Sequence, residues 1–355
     1  MSVVFEEVLR EKKEKVWPVI KKYLDSLVDF PLFCKVAPEY SSLVDFHQKM
    51  VADYPQRQGK YLRPTLVLLT ASAMGFEEEK VLQTAAAMQV SEDWILNHDD
   101  IEDGSWQRRG KPALYKIYGK ELAINAGDGL HVLMWKMLVD NLQVVGQEEG
   151  IKILEEFYWM LNRTVLGQTT EIKWTQENRE KMTDDDVLFI LESKTGYYTI
   201  AGPMRLGAIL GGASEKQLND IYEFGKILGR SFQIVDDLLD LTSDFKGLKK
   251  QTGNDIYEGK RTIMLMHLLR KVRVRDRVRV EKILRKDREG KTEEEIKWVI
   301  KKMEEYGSLE YGRGLAEKYA KQAREIFEKK LNFLSEEPAR SQLSAGIDFI
   351  VKREY

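Results

Sequence analysis

Several residue types and patterns are scarce in this 355-residue chain, and each scarcity excludes a class of protein. The single cysteine, Cys34, excludes internal disulfides and cysteine-based metal sites, which is typical of a reducing compartment. No apolar run reaches the roughly 18 residues that a membrane-spanning helix needs. The first residues are amphipathic and charged rather than a signal peptide. We therefore expect a soluble, cytoplasmic protein with no transmembrane segment.

The charge is nearly balanced, and the few prolines do not mark a boundary between two domains. The 56 basic and 58 acidic residues give a net charge of −2, which argues against a nucleic-acid partner. Only 8 prolines occur, and no Gly-, Ser- or Pro-rich linker separates two halves. Length alone would allow two domains of about 150 residues each, but the composition favours one domain over residues 1–355.

Hydrophobic periodicity predicts helices nearly everywhere and no strand of any length. Connectors are expected near 29–42 and after Gly75, Gly104 and Thr242. The expected helices are 3–28, 43–53, the apolar segment before Gly75, 77–103, 113–145, 149–173, 188–212, 215–241, 262–271, 307–333 and 338–351. Residues 272–302 carry interleaved charges of both signs and are expected to form a solvated helical hairpin. The fold class is all-α, a single large helical bundle with a deep central cavity.

Three aspartates near the middle of the first half define the most informative stretch. Asp99, Asp100 and Asp103 would lie within one arc of about 100° on a helix. Like charges about 6 Å apart repel by roughly 3 kcal/mol per pair at an effective dielectric near 20. An acidic, solvated helix end is the simpler explanation of one such motif, and divalent cations with oxygen ligands are the functional one.

A second triad of the same spacing makes the metal interpretation the better one. Asp236, Asp237 and Asp240 lie in GRSFQIVDDLLDL, where the neighbouring residues are apolar, so a solvated surface explains them poorly. Two such triads, 137 residues apart, predict the two sides of one site for two or three Mg²⁺ ions. By contrast, the acidic residues of TDDD at 183–186 fit a helix N-cap and receive no chemical role.

Mg²⁺ prefers carboxylates, water and phosphate oxygens, so the expected ligand is a diphosphate with basic side chains around it. Gln233 lies about 60° from Asp236 on a helical wheel and is expected on the same face as the triad. The candidate diphosphate-binding residues are Lys60, Arg63, Arg108, Arg109, Lys194, Lys250 and Lys260.

Taken together, these motifs resemble the trans-isoprenyl diphosphate synthases, the polyprenyl synthetase family that includes farnesyl and geranylgeranyl diphosphate synthases. The matching segments follow one another in the family's order over about 200 residues: GKYLRP at 59–64, HDDIEDGSWQRRGKP at 98–112, KTG at 194–196, GRSFQIVDDLLD at 229–240 and KQTGNDIYEGKRT at 250–262. The resemblance implies a helical bundle of the isoprenoid synthase type and a homodimer.

The resemblance also implies a role for each matching residue. Both aspartate triads correspond to the family's Mg²⁺-binding carboxylates, which hold the allylic diphosphate. Arg108, Lys194 and Lys250 correspond to basic residues on that diphosphate, with Lys260 nearby. Lys60, Arg63 and Arg109 correspond to the pocket for isopentenyl diphosphate. Thr195 and Gln233 correspond to polar groups near the reacting carbons.

The implied reaction is a head-to-tail condensation of isopentenyl diphosphate with an allylic prenyl diphosphate through an allylic carbocation. In the family, bulk at the fourth and fifth residues before the first aspartate limits product length; here these are Ile95 and Trp94. On an ideal wheel Ile95 lies near the triad face and Trp94 points away, so the role of Trp94 rests on the resemblance. We expect a C15 or C20 product, with geranylgeranyl diphosphate favoured.

One residue departs from the family pattern. Seven residues before Asp99 the family usually has His or Gln for isopentenyl diphosphate, and this chain has Glu92. A carboxylate there repels a diphosphate unless it is protonated, paired with Arg or Lys, or bridged by a metal. Two alternatives also stay open: a non-catalytic prenyl-diphosphate-binding protein or partner subunit, which only Glu92 supports, and a terpene cyclase or head-to-head synthase on the same kind of bundle. The complete triads oppose the first, and the basic residues of an isopentenyl pocket oppose the second.

Overall fold

A computed structural model describes residues 4–179, 181–242 and 252–351, and the predicted all-α class is confirmed. In the first part of the chain the helices are α1 Phe5–Asp25, α2 Ser41–Arg57, α3 Leu62–Ala73, α4 Glu78–Glu102, α5 Leu114–Tyr118, α6 Lys120–Val145 and α7 Gln147–Gln176. They are followed by α8 Asp184–Leu191, a π-helical segment Glu192–Ala201, α9 Gly202–Leu210, α10 Glu215–Thr242, α11 Asn254–Glu258, α12 Ile263–Lys271, α13 Val274–Leu284, α14 Glu293–Glu305, α15 Ser308–Lys330 and α16 Ala339–Val351. A two-residue β-hairpin pairs β1 Gln107–Arg108 with β2 Lys111–Pro112.

The chain forms two compact units, and each is described by itself. The first contains the residues up to Glu156, Pro203–Ala213 and Leu334–Leu343; the second contains Phe157–Gly202, Ser214–Phe333 and the residues from Ser344 on. The single domain and the deep central cavity expected from the sequence stay predictions. In the described parts of the chain no helix is both long and apolar enough to cross a membrane.

In the first unit α4 packs mainly against α6, with α3 and α1 on its other sides. Two glycines of α6 allow the close approach that their position in NAGDGL predicts. A Cβ at Gly127 would lie 2.3 Å from His98 Nε2 of α4, and one at Gly129 would lie 2.9 Å from Val51 Cγ2 of α2. This packing fixes the carboxyl-terminal half of α4, which carries the first aspartate triad.

In the second unit α10 packs between α15 and the π-helical segment. The closest contact joins two glycines, since a Cβ at Gly229 would lie only 2.4 Å from Cα of Gly196. Backbones at this distance leave no room for a side chain, so the KTG segment lies directly against the helix that carries the second triad.

The structure corrects three details of the predicted elements. The expected helix 113–145 is broken at Gly119, whose φ of +90° lies in a region that favours glycine, and it forms α5 and α6 instead. The expected helix 188–212 contains the π-helical segment, a form often found at functional sites. The loop after the first triad holds the short hairpin.

The predicted helix N-cap in TDDD is confirmed. Thr183 is an N-cap that forms a capping box with Asp186, so the acidic TDDD segment is explained by helix initiation. The charge-rich stretch 272–302 holds α13 and most of α14, and each has one buried apolar stripe, with Val280 in α13 and Val299 in α14. That the two helices form a hairpin stays a prediction.

Candidate active site

The first aspartate triad lies at the carboxyl end of α4. Asp103 caps the helix, and its N–H donates to the carbonyl oxygen of Asp99 at 2.8 Å. Asp100 is completely buried and accepts a hydrogen bond of 2.6 Å from the hydroxyl of Tyr54. Arg108 donates to the same carboxylate from Nε, at 3.0 and 3.1 Å, and from Nη2, at 2.5 Å. Asp100 is thus the inward member of the triad, held by a phenol and a guanidinium.

The β-hairpin directs Arg108 and Arg109 back onto α4. Its turn has positive φ at both Arg109 (+52°) and Gly110 (+76°), the backbone of a tight two-residue hairpin turn. Arg57 of α2 fixes the hairpin, because its Nη1 donates to the carbonyl oxygens of Arg108 at 3.0 Å and Pro112 at 2.8 Å. The hairpin turn formed by the RRG sequence therefore places the guanidinium groups of Arg108 and Arg109 beside α4.

The electrostatics keep Arg108 charged. Burial by itself lowers the pKa of Arg108, but the hydrogen bond with Asp100 and the negative charges of Asp100 and Asp99 outweigh it and raise the pKa. Burial and the adjacent Asp100 raise the pKa of the Tyr54 hydroxyl, which stays protonated and donates. The resulting pair satisfies the buried carboxylate and leaves Asp99, whose side chain is about a quarter exposed, towards solvent.

A second group of charges lies two turns earlier on α4. We call it the arginine–carboxylate cluster: Arg63, Glu92, Asp93 and Arg109. Nη1 of Arg63 lies 3.2 Å from Oε2 of Glu92, and Nη2 of Arg109 lies 3.7 Å from Oε1 of the same carboxylate. Arg109 also pairs with Asp93 at 2.7 Å. The interpretation that Glu92 is neutralised by arginine is confirmed.

Tyr61 shapes the loop that leads into this cluster. It has φ +60° and ψ +33°, a left-handed conformation that is uncommon for a residue with a side chain, and it caps α3 two residues before Arg63. Burial, Asp93 and Glu92 raise the pKa of the Tyr61 hydroxyl. Lys60, just before it, is exposed. The GKYLRP segment therefore places Arg63 against α4 and Lys60 in solvent.

The second triad lies on α10 in the other unit. Asp236 is exposed and Asp237 is buried, and Gln233 Nε2 donates to Asp237 Oδ1 at 2.9 Å. Thr195, in the π-helical segment, donates from Oγ1 to Gln233 Oε1 at 2.7 Å. The expectation that Gln233 lies on the triad's face is confirmed, and a chain of hydrogen bonds links Thr195 to Asp237.

Two lysines of this unit are paired with carboxylates outside the triad. Lys194 forms an ion pair with Glu171 of α7. Lys260 lies 2.6 Å from Glu258 Oε2 and 4.0 Å from Asp255 Oδ1. Asp240 Oδ2 accepts a hydrogen bond of 3.0 Å from the N–H of Asp255, so the last aspartate of the triad holds the start of α11. Lys250 lies outside the described residues.

The charges around the second triad suit a cation. Burial, followed by the charges of Asp236 and Glu171, raises the pKa of Asp237 to about 7. Burial and the neighbouring Asp240 likewise raise the pKa of Asp255 well above its ordinary value. Carboxylates that raise one another's pKa values lie in an excess of negative charge that the nearby lysines do not fully neutralise. Mg²⁺ selects oxygen donors of this kind. The donor set fits a divalent metal.

The geometry stops short of a closed metal site. Among the described residues no three His, Cys, Asp or Glu side chains converge on one point as ligands. Mg²⁺ completes its octahedron with water and substrate phosphate oxygens, so an open carboxylate set agrees with binding together with a diphosphate. That the two triads form one metal site stays a prediction.

The two residues expected to limit chain length lie two turns above the triad's end. Trp94 is half-buried and stacks on His131 of α6, with ring centroids 4.1 Å apart and planes inclined by 15°. Trp135 Nε1 donates to His131 Nε2 at 2.8 Å, which fixes the imidazole. Ile95 is also half-buried. Trp94 therefore belongs to a rigid aromatic layer between α4 and α6.

Sequence reasoning missed four side chains that hold the predicted ones in place: Tyr54, Asp93, Glu171 and Asp255. Asp93 and Asp255 carried a signal, because they lie inside or beside quoted motifs. Tyr54 and Glu171 lie 46 and 23 residues from their partners in helices with no distinguishing pattern. Only the packing of those helices reveals them.

Comparisons with known proteins agree with this geometry. The polyprenyl synthetase family pattern matches residues 44–303. A short chain isoprenyl diphosphate synthase of Methanothermobacter thermautotrophicus is 33% identical over 301 residues, covering 84% of this chain and 87% of that protein. A geranylfarnesyl diphosphate synthase of Natronomonas pharaonis is 32% identical over 314 residues, covering 84% and 87%.

A solved structure extends the likeness to nearly the whole fold. The geranylgeranyl pyrophosphate synthetase of Pyrococcus horikoshii superimposes with a TM-score of 0.82 at 28% identity, covering 99% of both chains. The resemblance inferred from the motifs is confirmed over a longer span than the motifs themselves occupy. The chain belongs to the polyprenyl synthetase family.

Proposed function

We propose that this protein condenses isopentenyl diphosphate with an allylic prenyl diphosphate and releases geranylgeranyl diphosphate, the C20 product, and inorganic diphosphate. The class of enzyme, a short-chain trans-prenyltransferase, is confirmed by the named relatives. The observation that best supports the full proposal is that both aspartate triads are complete and each lies beside basic side chains. Arg108 accompanies Asp99 and Asp100, the charge of Lys260 acts on Asp237, and Lys194 pairs with Glu171 in the same unit.

Two groups of residues bind the two diphosphates in this proposal. Arg108, Lys194 and Lys250 bind the allylic diphosphate, with Lys260 nearby, and carboxylates of both triads bind Mg²⁺ with it. Lys60, Arg63 and Arg109 bind isopentenyl diphosphate. Planar guanidinium groups suit phosphate oxygens because they donate in a fixed fork.

The residues of the site contribute positioning and charge. Bound Mg²⁺ stabilises the departing diphosphate, where negative charge accumulates when the allylic C–O bond breaks. Arg108 adds a permanent positive charge at that place, and Asp100, which also accepts a hydrogen bond from Tyr54, holds its guanidinium still. Thr195 and Gln233 place hydroxyl and amide dipoles beside the second triad. The isopentenyl double bond then attacks the allylic carbon, and the departed diphosphate takes the proton whose loss completes the product.

Chain length follows from bulk beneath the growing tail. Trp94 stacked on His131, with Ile95 next to it, forms the floor in this proposal. A synthase named for the C20 product matches 99% of this fold, and a relative of similar identity is named for the C25 product. We place the product at C20 because an indole stacked on an imidazole is a large stop for the growing tail.

The divalent metal is part of the family's chemistry with diphosphate substrates, and we propose Mg²⁺, two or three ions per active site. We also propose a homodimer in the cytoplasm. Exposed aliphatic side chains on α6, among them Val132 (69% exposed) and Val139 (52%), support a protein partner for this helix.

A product assay tests the proposal. The purified protein is incubated with Mg²⁺, isopentenyl diphosphate and, separately, C5, C10 and C15 allylic diphosphates, and products are identified by mass spectrometry. Elongation that stops at C20 supports the proposal, and a main product of C25 or longer overturns the chain length. Metal-dependent diphosphate binding without elongation would favour a non-catalytic binding protein, the alternative that the presence of Glu92 supports. Cyclic hydrocarbon formed without isopentenyl diphosphate would instead indicate a terpene cyclase.

A further inference from the structure

The arginine–carboxylate cluster contains two acidic residues between the arginines assigned to isopentenyl diphosphate. Glu92 lies within ion-pair distance of both Arg63 and Arg109, while Asp93 forms an ion pair with Arg109. All four side chains are largely removed from water, with exposures of 20% for Arg63, 14% for Glu92, 12% for Arg109 and 1% for Asp93. Since ion pairs in such surroundings are little screened, each pairing has a measurable consequence.

Arg109 is fixed on several sides: Nη1 donates to the carbonyl oxygen of Tyr54 at 2.9 Å, Asp93 pairs with the same nitrogen, and the backbone of Gly59 lies against the guanidinium. A Cβ at position 59 would lie 2.9 Å from Nη2 of Arg109. Arg63, at the start of α3, faces Glu92 at the more exposed side of the cluster.

The carboxylates of Glu92 and Asp93 differ in their burial. Asp93 is completely buried, and burial raises its pKa to about 6 in spite of Arg109. Its position leaves it as a structural partner of Arg109. Glu92 is more exposed than Asp93, and its carboxylate bridges the guanidinium groups of Arg63 and Arg109. In the proposed function the diphosphate of isopentenyl diphosphate binds to these same two groups.

We infer that Glu92 is a specificity-determining residue that occupies Arg63 in the free enzyme and must be displaced by the diphosphate of isopentenyl diphosphate, whereas Asp93 positions Arg109. This inference rests on the proposed function of the cluster. A carboxylate carries one negative charge and a diphosphate carries more, so the exchange favours the diphosphate but at reduced affinity. The enzyme thereby demands a ligand that is more strongly anionic than the carboxylate it replaces.

The experiment compares wild-type protein with Glu92→Gln, which keeps the shape and removes the charge. Elongation kinetics are measured with saturating allylic diphosphate and varied isopentenyl diphosphate. We expect the KM for isopentenyl diphosphate to fall about tenfold in E92Q, equivalent to about 1.4 kcal/mol, with kcat changed less than about threefold. Glu92→Asp keeps the charge on a shorter side chain, and its KM should stay close to that of the wild type.

Two further measurements separate the possible failures. Glu223→Gln, which removes a carboxylate from an exposed ion pair with Lys330, is the matched control and should leave the KM unchanged. Calorimetric titration with isopentenyl diphosphate, without allylic substrate, reports the affinity even if a variant loses turnover. Equal or weaker affinity in folded E92Q overturns the inference while wild-type elongation upholds the proposed function. Absence of elongation in the wild type overturns the function, and tighter binding by E92Q then still supports the role of Glu92.

Discussion

Arg108 and Asp100 form a two-pronged ion pair in which one carboxylate receives three hydrogen bonds from a single guanidinium. The carboxylate is buried and the guanidinium is about a quarter exposed, so the arginine extends from the interior towards the side of α4 where we propose that Mg²⁺ binds. One side chain thus stabilises the fold of the first unit and supplies positive charge at the proposed diphosphate site. These two tasks can be separated by substitution.

Replacing Arg108 by Gln is expected to destabilise the protein as well as slow it. The change leaves the Asp100 carboxylate buried with only the Tyr54 hydroxyl as donor. Breaking a buried ion pair costs about 3–5 kcal/mol, and the partial exposure of Arg108 places the expected loss near the lower end of that range. Urea denaturation measures it. Arg108→Lys keeps the charge and should recover stability only in part, because an ammonium cannot make the forked contact.

The control for this pair is Arg313, which has an exposed ion pair with Glu310 three residues away. Surface pairs of this type contribute about 0–1 kcal/mol, so Arg313→Gln should leave stability almost unchanged. If R108Q and R313Q unfold at the same urea concentration, the Arg108–Asp100 pair has no structural role.

The sequence was sufficient for the motifs because their signals are local. Fixed spacing places Asp99, Asp100 and Asp103 at one helix end, and the same period brings Gln233 to Asp237. Long helices were predicted for the same reason, since apolar residues at helical intervals identify a buried face. Pairing with arginine was one of three possibilities that the charge of Glu92 left open, and the structure shows that this carboxylate bridges Arg63 and Arg109.

The sequence was insufficient where the structure depends on packing between distant segments. The π-helical segment arises where Gly196 meets Gly229 of α10, and nothing within residues 192–201 indicates it. The break at Gly119 depends on its positive φ, and the sequence does not distinguish this glycine from the other glycines of the chain. The hydrogen bond from Tyr54 to Asp100 depends on the packing of α2 against α4, which no local pattern in either helix indicates.

Metal dependence should follow the exposed aspartates of the triads. Asp99→Asn and Asp236→Asn each remove a charged oxygen ligand while retaining the side-chain shape. Elongation should fall by at least about 100-fold in each, as for the loss of a group that stabilises developing negative charge. Chelation of the metal should abolish activity in the wild type, and added Mg²⁺ should restore it.

Glu102 provides a control within the first motif. It is an exposed carboxylate beside the triad and lies on its flank, so Glu102→Gln should reduce activity by less than about threefold. Activity is measured as a function of Mg²⁺ concentration, since loss of a ligand raises the concentration required. A Mg²⁺ response in D99N identical to that of E102Q would remove Asp99 from the metal site.

Product length should respond to the aromatic layer of the first unit. Trp94→Ala removes the indole that stacks on His131, and the main product should lengthen from C20 to C25 or beyond because the tail gains room. His131→Ala should act in the same direction and less strongly, since it frees the indole without removing it. Products are separated by chain length and identified by mass spectrometry.

The matched control for product length is Trp106→Ala. Trp106 is 65% exposed in the loop after the first triad, so its removal deletes an indole of the same size from a different place. Its product distribution should equal that of the wild type. An unchanged distribution in W94A as well would place the chain-length limit elsewhere, with Ile95 the next residue to substitute.

Stability near neutral pH should depend on the protonation of Asp93. Burial is the main cause that raises its pKa from 3.8 to about 6, while Arg109 opposes the shift. Because the folded protein binds this proton more tightly than the unfolded chain, the contribution is fully present below about pH 4 and is lost as pH rises through about 6. A shift of about two pKa units corresponds to about 2–3 kcal/mol. Asp93→Asn mimics the protonated form and lacks this dependence.

The measurement is the difference in unfolding free energy between wild type and D93N at a series of pH values. Other carboxylates titrate in both proteins and cancel in the difference, which should move against the wild type as pH rises from about 4 to about 7. A difference that stays constant with pH would show that Arg109 fully compensates the burial of Asp93. A difference that favours the wild type at higher pH would mean that the ion pair outweighs desolvation, because the pKa of Asp93 would then lie below 3.8 in the folded protein.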